Sequence, residues 1–157
     1  MMVGIKDESL NDWLFGCELY TLDKFQDDRG FLVPMLSVEE PCEQYAYYSI
    51  TYPGGARDID RWHVHQHHTD RFVVLRGQLT FVISDGVHRA VRITMYGYRM
   101  PDTDKRSRML VVPPGVYHCL RNTGSKDALL LNMPTKIYDP EDEGRVSFEE
   151  LGVGSPW

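Results

Sequence analysis

Short apolar segments alternate with turn residues along the whole chain, and almost none carries a helical period. Segments rich in β-branched and aromatic residues begin near Trp13, Phe31, Tyr45, Phe72, Leu79, Val87, Met109 and Ala128. Turn formers separate them: Asp28-Arg29-Gly30, Pro53-Gly54-Gly55, Arg76-Gly77, Asp85-Gly86, Pro113-Pro114-Gly115 and Asn122-Thr123-Gly124. The stretch LTFVISDGVHRAVRIT, from Leu79 to Thr94, reads as a hairpin. Asp-Gly suits a type I′ turn, in which both central residues take positive φ. Val87, Arg89 and Val91 alternate with His88, Ala90 and Arg92, as the two faces of a strand do. About eight strands at this spacing predict an all-β, antiparallel fold, closed or sandwiched. Ser147-Phe148-Glu149-Glu150-Leu151 has capping-box spacing and predicts a short C-terminal helix. Tyr98 to Arg108 reads as a polar loop, and no internal repeat divides the chain.

Composition narrows the setting. At 157 residues the chain is sized for one domain, residues 1–157, with a real core. A hydrophobic content of 42% and a charged content of 25% are those of an ordinary globular chain. A net charge of -6 argues against nucleic acid or a membrane surface as partner. The three cysteines, Cys17, Cys42 and Cys119, are odd in number and far apart, which suits reduced thiols and a cytoplasmic location. MMVGIKDESLND lacks the apolar stretch of a secretory signal.

Candidate chemistry concentrates in RWHVHQHHTDRFVVLRG, Arg61 to Gly77. Four of the six histidines fall between His63 and His68. In an extended chain residues two apart share a face, so His63, His65 and His67 point one way and Val64, Gln66 and His68 the other. Gln66-His67-His68-Thr69 reads as a solvated hairpin tip, and His88 as an exposed strand residue. Tyr45, Tyr47, Tyr48 and Tyr52 suit strand packing, with Tyr47 kept as a candidate ligand contact.

The spacing H-x-H-x4-D-x6-G over His63 to Gly77, followed by P-x-G-x2-H-x3-N over Pro113 to Asn122, resembles the two cupin motifs, with Asp70 at the usual Glu position. The resemblance implies a double-stranded β-helix, or jelly-roll barrel, with its core at about residues 30–135. It also implies that His63, His65, Asp70 and His118 converge in one cavity. Two imidazoles, a carboxylate and a third imidazole can hold a divalent transition metal, so a metal-dependent cupin enzyme is one alternative. A non-catalytic sugar-binding cupin is another.

A second resemblance covers most of the chain. FQDDRGFL (Phe25 to Leu32), Arg61-Trp62-His63, VVPPGVYH (Val111 to His118) and IYDPEDE (Ile137 to Glu143) resemble motifs of the dTDP-4-dehydrorhamnose 3,5-epimerases. DRWHVH (Asp60 to His65), VISDG (Val82 to Gly86) and YDPED (Tyr138 to Asp142) resemble the dTDP-sugar 3,4-ketoisomerases at least as closely. What these imply is an isomerase that acts on a dTDP-4-keto-6-deoxyhexose without cofactor. His63 is the base, His65 shares or orients the proton transfer, and Tyr138 is the third catalytic candidate. Arg29, Arg61, Asp70, Arg71, His118, Tyr47 and Asn132 are the substrate-binding candidates. Arginine forks onto phosphate oxygens, which suits Arg29 and Arg61 to a diphosphate. A homodimer is implied too. The pocket lysine of the 3,5-epimerases falls on Asp70 and their catalytic tyrosine on Asn132. A ketoisomerase or single-centre epimerase therefore fits better than a 3,5-epimerase.

Overall fold

The computed structural model of the protein describes residues 5–8, 14–23, 25–28, 30–36, 45–57, 59–87, 90–98, 107–153 and 155–157. Their strands are β1 (Ile5–Lys6), β2 (Glu18–Thr21), β3 (Phe25–Asp27), β4 (Gly30–Leu32), β5 (Tyr47–Thr51), β6 (Ala56–Arg57), β7 (Arg61–His65), β8 (Asp70–Arg76), β9 (Gln78–Ser84), β10 (Val91–Tyr96), β11 (Arg108–Val112), β12 (Tyr117–Arg121), β13 (Ala128–Asn132) and β14 (Glu143–Ser147). One helix, α1 (Phe148–Leu151), follows. The first sheet runs β1-β2-β11-β8-β13-β5 and the second β10-β9-β12-β7-β14, with β6 added on β12. Strands β3 and β4 form a separate ribbon. This is the all-β double-stranded β-helix with a short C-terminal helix that the sequence predicts.

Alternation decides which side chains enter the barrel. Phe72, Val74, Leu110 and Leu130 from the first sheet meet Phe81, Ile83, Ile93 and Leu120 from the second in one buried cluster. The intervening residues of each sheet face outward and are covered separately. Trp62, Val82 and Cys119 lie under Phe148 and Leu151 of α1, with Trp62 edge-on to Phe148 at 5.6 Å. On the outside of the first sheet, Val73, Met109 and Val111 are covered by Val33, Met35 and Leu36. Burying a side chain such as Trp62 contributes on the order of 2 kcal/mol or more, so the outer layer is a true part of the core. It also dictates that His63 and His65, the alternates of Trp62 and Val64, look into the barrel.

Two features depart from the sequence reading. The Leu79–Thr94 hairpin exists, but Ile83 pairs with Val91, so the connection is longer than the two-residue Asp85-Gly86 turn. The strand begins at Val91, not near Val87. Among the described residues of this turn only Gly86 has positive φ (81°), whereas a type I′ turn needs two. The Ser84 hydroxyl accepts from the Gly86 N–H and the Asp85 carboxylate from the Val87 N–H, which builds a wider turn. Strands are also more numerous than eight, because short pieces such as β6, β12 and β14 complete the sheets. Gly77 closes the β8–β9 turn at φ 80°, and a Cβ there would lie 2.7 Å from the Asp127 carbonyl oxygen. Both facts demand glycine.

Cys17 and Cys119 are buried and in no disulfide, and burial pushes the Cys17 thiol up to about 12. Cys42, Trp13 and His88 lie outside the described residues. Among the described residues no helix is long and apolar enough to cross a membrane.

Candidate functional site

Five strands from two sheets deliver the site, β7, β12 and β14 from one and β8 and β13 from the other. On β7, His63 and His65 face inward. His118 on β12 is the direct register partner of His63, and the two rings stack with centroids 5.4 Å apart. The His63 and His65 rings are 4.6 Å apart. Asp70 opens β8 on the opposite sheet, and β14 lies along β7 with Glu143 opposite His65. The apolar core fills the barrel up to Phe72, whose ring is 5.8 Å from that of His118. Beyond that layer the interior turns polar.

Asp70 is the hub. Its Oδ2 lies 3.4 Å from His118 Nε2 and 3.6 Å from His65 Nε2. Its Oδ1 accepts from Asn132 Nδ2 at 2.7 Å and lies 3.5 Å from His68 Nε2. Burial alone would raise the Asp70 carboxyl, but His68, the Asn132 amide and the neighbouring imidazoles reverse this and hold it at about 2. The carboxylate is therefore charged throughout the neutral range. Asn132 is itself fixed. Its Oδ1 accepts from the Arg71 backbone N–H at 3.1 Å, which leaves the amide nitrogen to serve Asp70 and, at 3.0 Å, the Tyr47 hydroxyl.

His63 sits in a second, shallower network. Its Nε2 lies 3.2 Å from Glu143 Oε1. Glu143 also accepts from Arg145 at 2.8 Å and from the Tyr138 hydroxyl at 3.2 Å. Burial, then the His118 and His65 rings, push the His63 imidazole down to about 3. Burial lowers His65 as well, against the pull of Asp70. Both rings are neutral at working pH, and a neutral imidazole accepts a proton. His118 Nδ1 donates to the Val116 carbonyl at 3.1 Å, which turns Nε2 toward Asp70.

Residues 25–145 match the family described as the polysaccharide biosynthesis C-terminal domain. The chain belongs to that family. Within the polysaccharide biosynthesis C-terminal domain family the motif-bearing strands β7, β8 and β12 all fall inside the matched span. A probable low-salt glycan biosynthesis epimerase of Haloferax volcanii is 29% identical over 151 residues, covering 89% of this chain and 92% of that protein. A dTDP sugar isomerase from Desulfovibrio desulfuricans G20 superposes with a TM-score of 0.70 at 22% identity, covering 90% of this chain and 89% of that one. A 3,4-ketoisomerase from Helicobacter canadensis gives 0.69 at 21%, covering 86% and 93%. Those two solved structures share this arrangement of sheets.

The structure brings His63, His65, Asp70, His118 and Asn132 together, with Tyr47 attached through Asn132 and Tyr138 through Glu143. Arg61 stands exposed at the start of β7, 3.7 Å from Asp60. Arg71 is buried but alternates with Asp70 and Phe72, so it faces away from the imidazoles. Arg29 lies outside the described residues. His67 is exposed, as a hairpin tip predicts. His68 is not: only 6% of it is exposed. The turn folds inward because Asp142 Oδ1 accepts from both the Gln66 and His67 N–H groups, at 2.7 and 2.8 Å. Sequence reasoning missed Asp142 and Glu143 as site residues. Their one signal was the closing YDPEDE segment, which gave no hint of which carboxylate would turn inward.

Proposed function

We propose that the chain is an isomerase of nucleotide-linked sugars, an epimerase or 3,4-ketoisomerase acting on a dTDP-4-keto-6-deoxyhexose. The observation that carries this reading is the meeting of three imidazoles from two strands at the polar end of the barrel, with His63 neutral and beside Glu143. A ketone at sugar carbon 4 acidifies the neighbouring C–H bonds. His63 removes such a proton. Its basicity, low in the empty site, rises as enolate charge develops next to it. His65 borders the same space and is placed to offer an N–H group to the enolate oxygen, while His118, whose N–H goes to the Val116 carbonyl, forms part of the pocket wall. Return of the proton to the opposite face of the same carbon gives epimerisation. Transfer through an enediol between carbon and oxygen gives ketoisomerisation. Tyr138, joined to His63 through Glu143, is the candidate for the second proton transfer. The names of the Haloferax relative and the Desulfovibrio structure support the same class of substrate and chemistry.

The test is solvent deuterium exchange into dTDP-4-keto-6-deoxyglucose. Wild-type protein should wash deuterium into the position next to the ketone. His63→Ala should lower the rate about 100- to 10,000-fold, the usual worth of a general base. Binding of dTDP with no exchange in the wild type would instead make this a sugar-binding cupin.

A second reading rests on the same rings. His63, His65 and His118 can each turn one ring nitrogen to a common space, and Asp70 adjoins two of them, a donor set that suits a divalent transition metal. A divalent transition metal held there would polarise the substrate carbonyl. Metal analysis of untagged protein separates the two. One ion per chain, lost in both His63→Ala and His118→Ala, would establish the metal enzyme.

We also infer a cytoplasmic homodimer. Tyr48 and Ile50 on β5 and Tyr52 just past its end form an exposed apolar row, and β5 is the last strand of its sheet among the described residues.

A further inference from the structure

The turn between β7 and β8 carries a buried imidazole that the proposed reaction does not use. His68 is clamped between two buried carboxylates. Its Nδ1 lies 2.8 Å from Asp142 Oδ2, and its Nε2 lies 3.5 Å from Asp70 Oδ1. Its ring packs on that of His65 with centroids 3.7 Å apart. Asp142 is spoken for on its other oxygen by the Gln66 and His67 N–H groups, so it cannot turn away. The order along the chain of contacts is thus backbone, Asp142, His68, Asp70, and then His65 and His118.

This arrangement divides the two oxygens of Asp70. Oδ1 is occupied by His68 and Asn132, and Oδ2 alone faces His65 and His118. The terminal torsion of an aspartate is broad and lightly restrained by itself. Without a second partner on Oδ1, the carboxylate can rotate about its Asn132 contact and leave the imidazoles unequally served. We propose that His68, anchored by Asp142, is a positioning residue that locks the Asp70 carboxylate and through it the orientation of His65 and His118. The same contacts supply the donors that a carboxylate this deeply buried requires.

The inference rests on the proposed isomerase reading for its kinetic arm and on geometry alone for its spectroscopic arm. His68→Phe keeps ring volume and burial but removes both nitrogens. His68→Gln keeps an amide donor for Asp70. Asp142→Asn keeps the oxygen that holds the turn and replaces the one facing His68. In the kinetic arm, His68→Phe should lower the exchange rate at saturating substrate about 10- to 100-fold, the size expected when a supporting contact is lost. The KM and the Kd for dTDP should stay within about twofold, and His68→Gln should recover most of the rate. In the spectroscopic arm, the ring 15N resonances of His65 and His118 should shift in His68→Phe and in Asp142→Asn, and return toward wild type in His68→Gln. Unchanged ring resonances in His68→Phe and Asp142→Asn would overturn the proposal. So would a rate loss of equal size in the Phe and Gln variants, which marks a purely structural role. If His68→Phe does not fold, His68→Gln against Asp142→Asn gives the same contrast. If the wild type shows no exchange but the resonances shift as stated, the isomerase reading fails and the positioning role stands.

Discussion

Burying His63 without its proton makes stability depend on acid. The unfolded imidazole titrates near its usual 6.5, whereas the folded one is pushed down to about 3. Above 6.5 both states are neutral and this group costs nothing. As pH falls from 6.5 toward 3, the unfolded chain binds a proton that the folded chain refuses, so stability is lost across that window. His65 is lowered too and acts in the same sense. His68 is raised, by Asp70 and Asp142 against the effect of burial. Its contribution is present below the unfolded value and lost as pH rises through the folded one. Asp70, at about 2, loses its contribution only as pH drops below the usual carboxylate range. The urea midpoint should therefore decline between pH 6.5 and 3, and His63→Gln should flatten that decline. An unchanged slope would show that His63 is not held neutral. Asn132 gives a second prediction at this scale. Asn132→Leu removes the amide donor from Asp70 and the acceptor from the Arg71 N–H. It should destabilise the fold by about 1–3 kcal/mol in denaturant titration, although it adds apolar volume to the core.

Helix α1 shows an element written almost completely in its own residues. Ser147 accepts from the Glu150 N–H, and Glu150 reaches back to the Ser147 N–H at 3.0 Å. Both halves of the box were legible from the S-x-x-E spacing. Ser147→Ala should cost about 1 kcal/mol in urea denaturation. A four-residue helix does not persist alone; Phe148 against Trp62 is what keeps it in place. Strands divide along the same line. Asp70–Arg76 and Ala128–Asn132 announced themselves by apolar runs that exceed any alternative local structure. Tyr117–Arg121 and Glu143–Ser147 did not, because neither carries a continuous apolar run and their partners lie far off in sequence. The Asp85-Gly86 hairpin was legible as a turn but not in its length, since side-chain acceptors on Ser84 and Asp85 outcompeted the tight form. At Gly77 the constraint is tertiary. Gly77→Ala should destabilise by more than the approximately 1 kcal/mol usual for a strained turn residue, because the added methyl meets backbone at 2.7 Å.

For the molecule as a whole, Tyr48 on β5 and Tyr52 just past its end are 71% and 72% exposed beside Ile50, at the edge of the sheet among the described residues. Sedimentation equilibrium should find a dimer, and Tyr48→Lys with Ile50→Lys should give monomer, because like charges and lost apolar area both oppose pairing. A monomeric wild type would leave that face without its assigned partner. Spacing by itself put His63 and His65 on one strand face, and the resemblance of the two histidine motifs to those of cupins implied the barrel and the meeting of both with Asp70 and His118. Spacing works only along one extended segment. Which of two adjacent histidines in a turn is wet, which carboxylate of Asp142 and Glu143 holds which ring, and that Asn132 serves Asp70 were decided where β7, β8, β13 and β14 meet. Those contacts join residues 60 or more positions apart. No local pattern encodes such a pairing; it exists only once both sheets have closed around the site.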